Sequence, residues 1–387
     1  MVLHFKLLHE IASTSSGGTP SRAVEKYWNG DIPWIKSGQL KDDYITECDE
    51  FITEDGLKNS SANIVSPNTL LLALYGATAG KLAFTTFEAT TNQAVCAIVT
   101  NDTLVNKKYL FYFLLSIRPK ILNDASGGAQ PNISQSYVKN IKVPLPPLHI
   151  QEQIADTLDK ADALRKKDQE LLKKYDELAQ SMYFNFIENV SFKYLTFEEV
   201  SMSPEGIRCG PFGTQLQVSD FSHKGVPLWG IKHVNSNFKT YTTEYLSEEK
   251  ARQLDVYSIE SGDLVMTRKG TIGKVCVYPD TLVPGVMHSD LLRIRLDSNI
   301  ASGVFFQYQL RHDPEIKSEV SKISQGAIMA GINVSKLKKL KVKVPSINSQ
   351  LDFSRYINHV EQIKLVTQNA TDKSKYLFNS IVNIYNK

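Results

Sequence analysis

An α+β chain is predicted by this sequence: two tandem globular α/β domains separated by long helices that pair as an antiparallel coiled coil. Three observations carry the expectation. The chain repeats itself at half its length, each half holds short apolar runs that end at glycines, and each half closes on a long apolar pattern spaced three and four.

The repeat is read first, because a missed repeat misassigns everything after it. Ile32-Pro33-Trp34-Ile35-Lys36 returns as Val226-Pro227-Leu228-Trp229-Gly230-Ile231-Lys232. Gly76-Ala77-Thr78-Ala79-Gly80-Lys81-Leu82 returns as Lys269-Gly270-Thr271-Ile272-Gly273-Lys274-Val275, and Asn132 through Pro146 as Gly331 through Pro345. Partners stay 193 to 199 residues apart in a chain of 387. Chance could produce one such pair, but not several in order at one offset. The expected parts are lobes at 1–146 and 190–345, a central helix at 147–189 and a C-terminal helix at 346–387.

Each element follows from local pattern. Thr69–Tyr75 and Gly262–Thr267 are apolar runs ending at glycines, as strands do. Ala94–Val99 and Leu291–Leu296 follow, the latter alternating as a half-buried strand would. One helix is expected at 107–122 and one at 301–320, interrupted at Pro119 and Pro314. Pro144, Pro146 and Pro147, and later Pro345, break the chain between strand and long helix. Along the first long helix, apolar residues recur at Ile154, Leu158, Ala161, Leu164, Leu171, Tyr175, Leu178, Met182 and Phe186. Along the second they recur at Phe353, Tyr356, Val360, Ile363, Thr367, Ala370, Leu377, Ile381 and Ile384. That is the seam of a coiled coil.

Composition narrows the function classes. With 44 basic and 41 acidic residues the net charge is +3, which excludes a polycation but not a binder with one basic face. Hydrophobic residues at 42% and charged ones at 22% exclude wholesale disorder. No run reaches the ~18–20 apolar residues of a membrane helix, and Lys6 and Glu10 spoil Met1–Ala12 as a secretory signal. Cys48, Cys96, Cys209 and Cys276 stand far apart without a CxxC, which suits a reducing cytoplasm better than a zinc ribbon or disulfide scaffold.

No catalytic constellation emerges. A phosphate-binding Walker loop needs four residues between its Gly and its Gly-Lys pair, then Ser or Thr. Gly76–Lys81 and Gly270–Lys274 have three and two, and Leu82 or Val275 follows the lysine. They read as tight glycine turns, on which Thr78 or Thr271 and Lys81 or Lys274 could meet a phosphate. Arg268 and Lys269 add charge in the second half. A methyltransferase would carry a glycine-rich cofactor loop and an Asn/Asp-Pro-Pro-aromatic tetrad, and Pro144–Leu148 is neither. His223, His233, His288 and His312 lack metal spacing. Lys341 and Lys343 read as the solvated face of a strand. Gln130 and Asn132, in a loop after Ser126-Gly127-Gly128, carry amides of the kind that read adenine edges.

Taken with the openings Gly17-Gly18-Thr19-Pro20 and Gly210-Pro211-Phe212-Gly213-Thr214-Gln215-Leu216, these motifs make the chain similar to a known family. With Pro33-Trp34-Ile35-Lys36-Ser37-Gly38, Arg268–Lys274 and Pro144-Leu145-Pro146-Pro147-Leu148 followed by Gln151 and Ile154, it resembles the specificity subunits of Type I restriction–modification systems. The resemblance spans essentially the whole chain. It implies two target recognition domains, each reading half of a bipartite double-stranded DNA site, held by helices that dock methylation subunits (expected to be two) and, through them, restriction subunits. S-adenosylmethionine and ATP are expected on those partners, and the chain itself is expected to be non-catalytic, without cofactor or metal.

The candidate DNA contacts are Lys36, Gln39, Tyr75, Thr78, Lys81, Gln130 and Asn132 in the first lobe. In the second they are Lys232, His233, Arg268, Lys269, Thr271 and Lys274. The candidate coiled-coil and docking residues are Ile154, Leu158, Leu164, Leu171, Leu178, Phe353, Val360, Ile363 and Leu377. The halves differ where Leu74-Tyr75-Gly76 stands against Arg268-Lys269-Gly270, and the second helix start, Pro345 to Gln350, keeps the glutamine with fewer prolines. Two other readings stay open: a non-DNA adaptor with paired lobes, and a single-chain DNA methyltransferase.

Overall fold

The computed structural model describes residues 4–125, 131–324 and 331–384, with the side chains of 381–384 left aside. It divides into two compact units, Met1–Gln169 with Asn369–Lys387, and Glu170–Gln368. Each long helix therefore contributes one stretch to each unit.

The first unit is built on a five-stranded sheet. Its order is Ala12–Ser16, Val95–Thr100, Leu70–Ala73, Leu82–Thr85, Asp43–Ile45, antiparallel except for the last pair. All four residues of Leu70–Ala73 are buried, which explains an apolar run without alternation. Leu70 and Leu72 join the core that holds Tyr109, Leu110 and Phe113 of the helix Lys107–Asp124. Leu71 and Ala73 face a second core with Ile35, Val65 and Ala89, residues of a four-stranded sheet. That sheet pairs Trp28–Ile35 in parallel with Ala89–Thr91. A strand at each end of the lobe, His4–Leu7 and Lys142–Leu145, closes it as an antiparallel ribbon.

The second unit repeats this plan. Ile207–Cys209, Leu291–Ile294, Leu264–Thr267 and Val275–Val277 follow in the same order as the first four strands above, all antiparallel. Val226–Trp229 pairs in parallel with Gly285–Met287, as Trp28–Ile35 does with Ala89–Thr91. The ribbon recurs as Phe192–Thr196 with Lys341–Pro345. Equal strand order at equal spacing is the structural form of the sequence repeat.

Local expectations needed three corrections, and one of the two proline interruptions holds. Pro119 does not interrupt its helix, which runs through it from Lys107 to Asp124. Pro314 does, opening a separate helix, Pro314–Ser324, after Gly303–His312. Leu291–Ile294 is buried throughout, because Arg293 is held inside by the carbonyl of Ser258 at 2.5 Å. Lys343 is no solvated residue: its ammonium lies between Asp313 at 2.9 Å and Glu315 at 3.1 Å.

The long helices span Leu148–Asn189 and Ile347–Ile384. In the second unit they run antiparallel: Phe186 meets Phe353 with ring centroids 5.0 Å apart, and Asp176 meets Lys364 at 2.6 Å. Ile154 and Leu158 are buried in the first lobe's core with Tyr109 and Leu110, and Phe353 and Val360 in the second unit's core with Tyr183. Leu164, Leu178, Ile363 and Leu377 are not, being 46–55% exposed, and Leu171 is half-buried. The inward line passes instead through Asp168, Ala179, Tyr183, Ile357 and Thr371. No described helix is long and apolar enough to cross a membrane.

Candidate nucleic-acid interface

In the second unit the strands Leu264–Thr267 and Val275–Val277 are joined by a turn that only glycine allows. Gly270 and Gly273 sit at φ +65° and +83°, where a Cβ is disfavoured. The turn closes on itself: the Gly273 N–H donates to Thr267 O at 3.0 Å and the Thr267 N–H to Lys274 O at 2.8 Å. A strand follows it rather than a helix, so it is no nucleotide-binding loop.

The turn gathers several of the expected residues. Thr271 Oγ1 donates to Asn235 Oδ1 at 2.9 Å, and Lys274 Nζ donates to Asn235 O at 2.7 Å. Asn235 ends the short helix Ile231–Asn235, which also carries Lys232. Lys232 lies 3.8 Å from Glu244, and Lys269 lies 3.0 Å from Asp290. The Arg268 guanidinium sits 4.7 Å from the Phe212 ring centroid, with Nε donating to Ile332 O at 3.4 Å. Two of these four cations, Lys232 and Lys269, thus have a carboxylate in contact. Lys274 and Arg268 keep their charge uncompensated by any acid among the described residues. Beside Arg268 opens a cleft of about 500 Å³ lined by Arg208, Phe212, Tyr257, Asn333 and Lys338.

His233 is a correction. It is fully buried, its Nδ1 accepting the Gly230 N–H at 2.9 Å and its ring edge-on to Trp229. Burial and the neighbouring Lys232 charge hold its pKa below the ordinary histidine value. It shapes the Trp229–Ile231 corner from inside the unit rather than lying on its surface.

The first unit has the same turn with different chemistry. Gly76 and Gly80 stand at φ +86° and +78°, and Tyr75 bridges to the exposed Asn132. Thr78 is half-buried, its carbonyl accepting the Lys81 N–H at 2.9 Å. Lys81 is already committed, 2.8 Å from Asp42, which Arg118 also holds with both terminal nitrogens. Burial raises the Asp42 pKa, but these hydrogen bonds outweigh it and leave the carboxyl below the usual range. Lys36 is paired likewise with Glu50 at 2.5 Å, beside Arg22, and their hydrogen bonds lower that carboxyl. Gln39 Oε1 accepts the Lys36 N–H at 3.1 Å, so the two close one short turn. Gln130 lies outside the described residues.

Sequence reasoning missed Arg22, which stacks 3.6 Å over the Trp28 ring, and Arg118. It also missed Asn235 and Arg208. Only Asn235 had a nearby signal, the Ile231-Lys232-His233 motif; the others arrive from distant segments.

The family model described as the Type I restriction modification DNA specificity domain matches residues 4–174. The chain is 26% identical over 284 residues to the type I restriction enzyme MjaIX specificity subunit of Methanocaldococcus jannaschii, covering 68% of this chain and 66% of that protein. It is 28% identical over 205 residues to the EcoR124I/EcoR124II specificity subunit of Escherichia coli, covering 51% and 50%. With the MjaVIII specificity subunit of M. jannaschii it shares 23% over 377 residues, 93% and 87% of the two chains. Among solved structures, the S subunit of a type I system from M. genitalium aligns over 100% of this chain and 96% of its own, with a TM-score of 0.64 at 13% identity. A chain from work on complex assembly and conformational transition of the type I R-M system aligns at 0.56 and 15%, over 99% and 97%.

Proposed function

Because the chain belongs to the family of Type I restriction–modification specificity subunits, we propose that each of its units reads one half of a bipartite double-stranded DNA target. The observation that carries this reading is one strand order used twice under loops of different chemistry. Two half-sequences need one scaffold and two sets of loop contacts, and that is the pattern of Leu74-Tyr75-Gly76 against Arg268-Lys269-Gly270. The cations on and beside the glycine turn, Lys232, Arg268, Lys269 and Lys274, support the phosphate side of such contacts, which position a protein without reading sequence.

The chain itself is then non-catalytic and works in the cytoplasm. S-adenosylmethionine and ATP are held by partners, the methylation subunits and the restriction subunits attached through them. Two methylation subunits dock on the helices, where the exposed Leu164, Leu178, Ile363 and Leu377 offer apolar area that the chain does not cover itself. A salt titration of DNA binding by the chain with its methylation subunits tests the reading. Log affinity should fall linearly with log salt concentration. An adaptor for proteins would show no DNA affinity to titrate, and methyl transfer by the chain alone would favour the single-chain methyltransferase.

A further inference from the structure

Three arginines distinguish the second unit from the first at matching places in one scaffold. Strand register sets Arg208 beside Arg293 and Arg293 beside Val265, as it sets Ser15 beside Ala97 and Ala97 beside Leu71. Before the glycine turn, the Thr267 N–H donates to Lys274 O as the Ala73 N–H donates to Lys81 O. Arg268 therefore stands where the first unit has Leu74. Arg208, Arg268 and Arg293 thus take the places of Ser15, Leu74 and Ala97. The first unit completes the same strand order without them, so the scaffold does not need their charge.

Two of the three, Arg208 and Arg268, line the cleft of about 500 Å³ together with Lys338, Phe212 and Tyr257. The third, Arg293, is 5% exposed and reaches the cleft wall through Glu205 O, which accepts its Nη2 at 3.4 Å. It touches no acid among the described residues, and burial together with the charges of Arg295 and Arg208 lowers its pKa. Arg268 Nη1 is shielded from solvent and has no hydrogen-bond partner among the described residues. The acids that do touch the lining cations sit on the open side. Glu205, 2.6 Å from Arg208, and Glu198, 3.5 Å from Lys338, have side chains 76% and 48% exposed.

One atom sets both aromatic walls. Gln215 Oε1 accepts the Phe212 N–H at 3.0 Å and the Tyr257 hydroxyl at 3.0 Å. The Phe212 ring lies 4.7 Å from the Arg268 guanidinium, and the Tyr257 ring 6.0 Å from that of Arg208. A bare phosphate would need the charge alone. Here charge is paired with aromatic faces in a space the size of small-molecule sites. Guanidinium groups take phosphate through parallel bonds, and bases stack on such rings whatever their identity.

We infer that this cleft of the second unit binds a nucleotide, its phosphate at Arg208, Arg268 and Lys338 and its base against Phe212 and Tyr257. Two sources share that chemistry. One is a nucleotide turned out of the stack of bound DNA, since a base inside the duplex has no free face to offer; this source rests on the proposed DNA reading. The other is a free nucleoside monophosphate, which does not.

The test uses the full chain with its methylation subunits and two probes. Deoxythymidine monophosphate is titrated by calorimetry, with thymidine and inorganic phosphate alongside. Duplexes carrying one 5-iododeoxyuridine, moved stepwise along the methylated site, are irradiated and the cross-links mapped by mass spectrometry. A cross-link to Phe212 or Tyr257 supports the site and assigns it to a DNA nucleotide. Monophosphate binding about tenfold or more tighter than thymidine and phosphate, without a cross-link, supports it and assigns it to a free nucleotide. Arg268→Leu and Arg208→Ser install residues with which the first unit folds. Each of these, and Phe212→Leu, should weaken the signal about tenfold, the scale of one lost contact. Neither signal, or a signal that all three variants leave unchanged, would overturn the inference. Duplex binding without either signal leaves the DNA reading standing and this inference alone fallen. Absence of duplex binding fails the DNA reading, and the monophosphate titration then decides the cleft by itself.

Discussion

Lys343 Nζ lies 2.9 Å from Asp313, a carboxylate 1% exposed that also accepts the Tyr183 hydroxyl at 2.9 Å. One buried acid thereby joins the closing ribbon, the long helix and the start of Pro314–Ser324, whose Glu315 N–H it accepts at 3.0 Å. Removing the cation strands the charge. Lys343→Ala should destabilise the second unit by about 3 kcal/mol, the low end for breaking a buried pair, because Tyr183 and the backbone still serve Asp313. Thermal melting followed by circular dichroism checks it; a loss below ~1 kcal/mol, the range of surface pairs, contradicts it.

His312 should make stability depend on pH. Burial, reinforced by the charges of Arg311 and Lys317, pushes its pKa down to about 4, from ~6.5 when unfolded. The unfolded chain then binds the proton more readily, so stability is full above ~6.5 and declines as pH falls toward about 4. His312→Gln should remove on the order of 1 kcal/mol of the stability difference between pH 7 and pH 5. Urea unfolding at the two pH values measures it, and an unchanged difference would show that other groups carry it.

Gly80 is expected to resist a side chain where Gly38 does not. At φ +78°, a Cβ on Gly80 would be strained and 3.1 Å from Arg118 Cγ, whereas a Cβ on Gly38 meets nothing within 4 Å. Gly80→Ala should cost about 1–2 kcal/mol and disturb Arg118 on Asp42, while Gly38→Ala should leave the melting temperature nearly unchanged. Equal effects would place the strain elsewhere.

The sequence carried what repeats and what is periodic. The long helices at Leu148–Asn189 and Ile347–Ile384 and the strands around Leu70 and Leu264 were legible, because each is set by neighbours in the chain. The two glycine turns were legible for the same reason. Pairings were not. Nothing near Lys81 announces Asp42, and nothing near Lys36 announces Glu50, so residues that looked free to meet a phosphate turned out to have acids beside them. His233 sits in a motif rich in polar residues, yet the fold turns it inward. Leu164 and Leu178 keep heptad spacing yet are exposed, because the local pattern does not say which flank of a helix other elements cover.

Lys274 should act as a phosphate contact. Lys274→Ala should weaken DNA binding about equally on all sequences and reduce the slope of log affinity against log salt by ~1. Binding isotherms at several salt concentrations on target and unrelated duplexes read both. A loss confined to one base pair of the target would make Lys274 a base reader instead.

The most direct measurement exchanges one lobe. The chain is expressed with its methylation subunits, first as it stands and then with residues 1–146 replaced by the corresponding lobe of a related specificity subunit, and methylated sites are sequenced in both hosts. Two half-sequences separated by a fixed number of unspecified bases should appear, and the exchange should change one half while leaving the other half as before. A continuous target, or an exchange that alters both halves, would contradict two independent reading units.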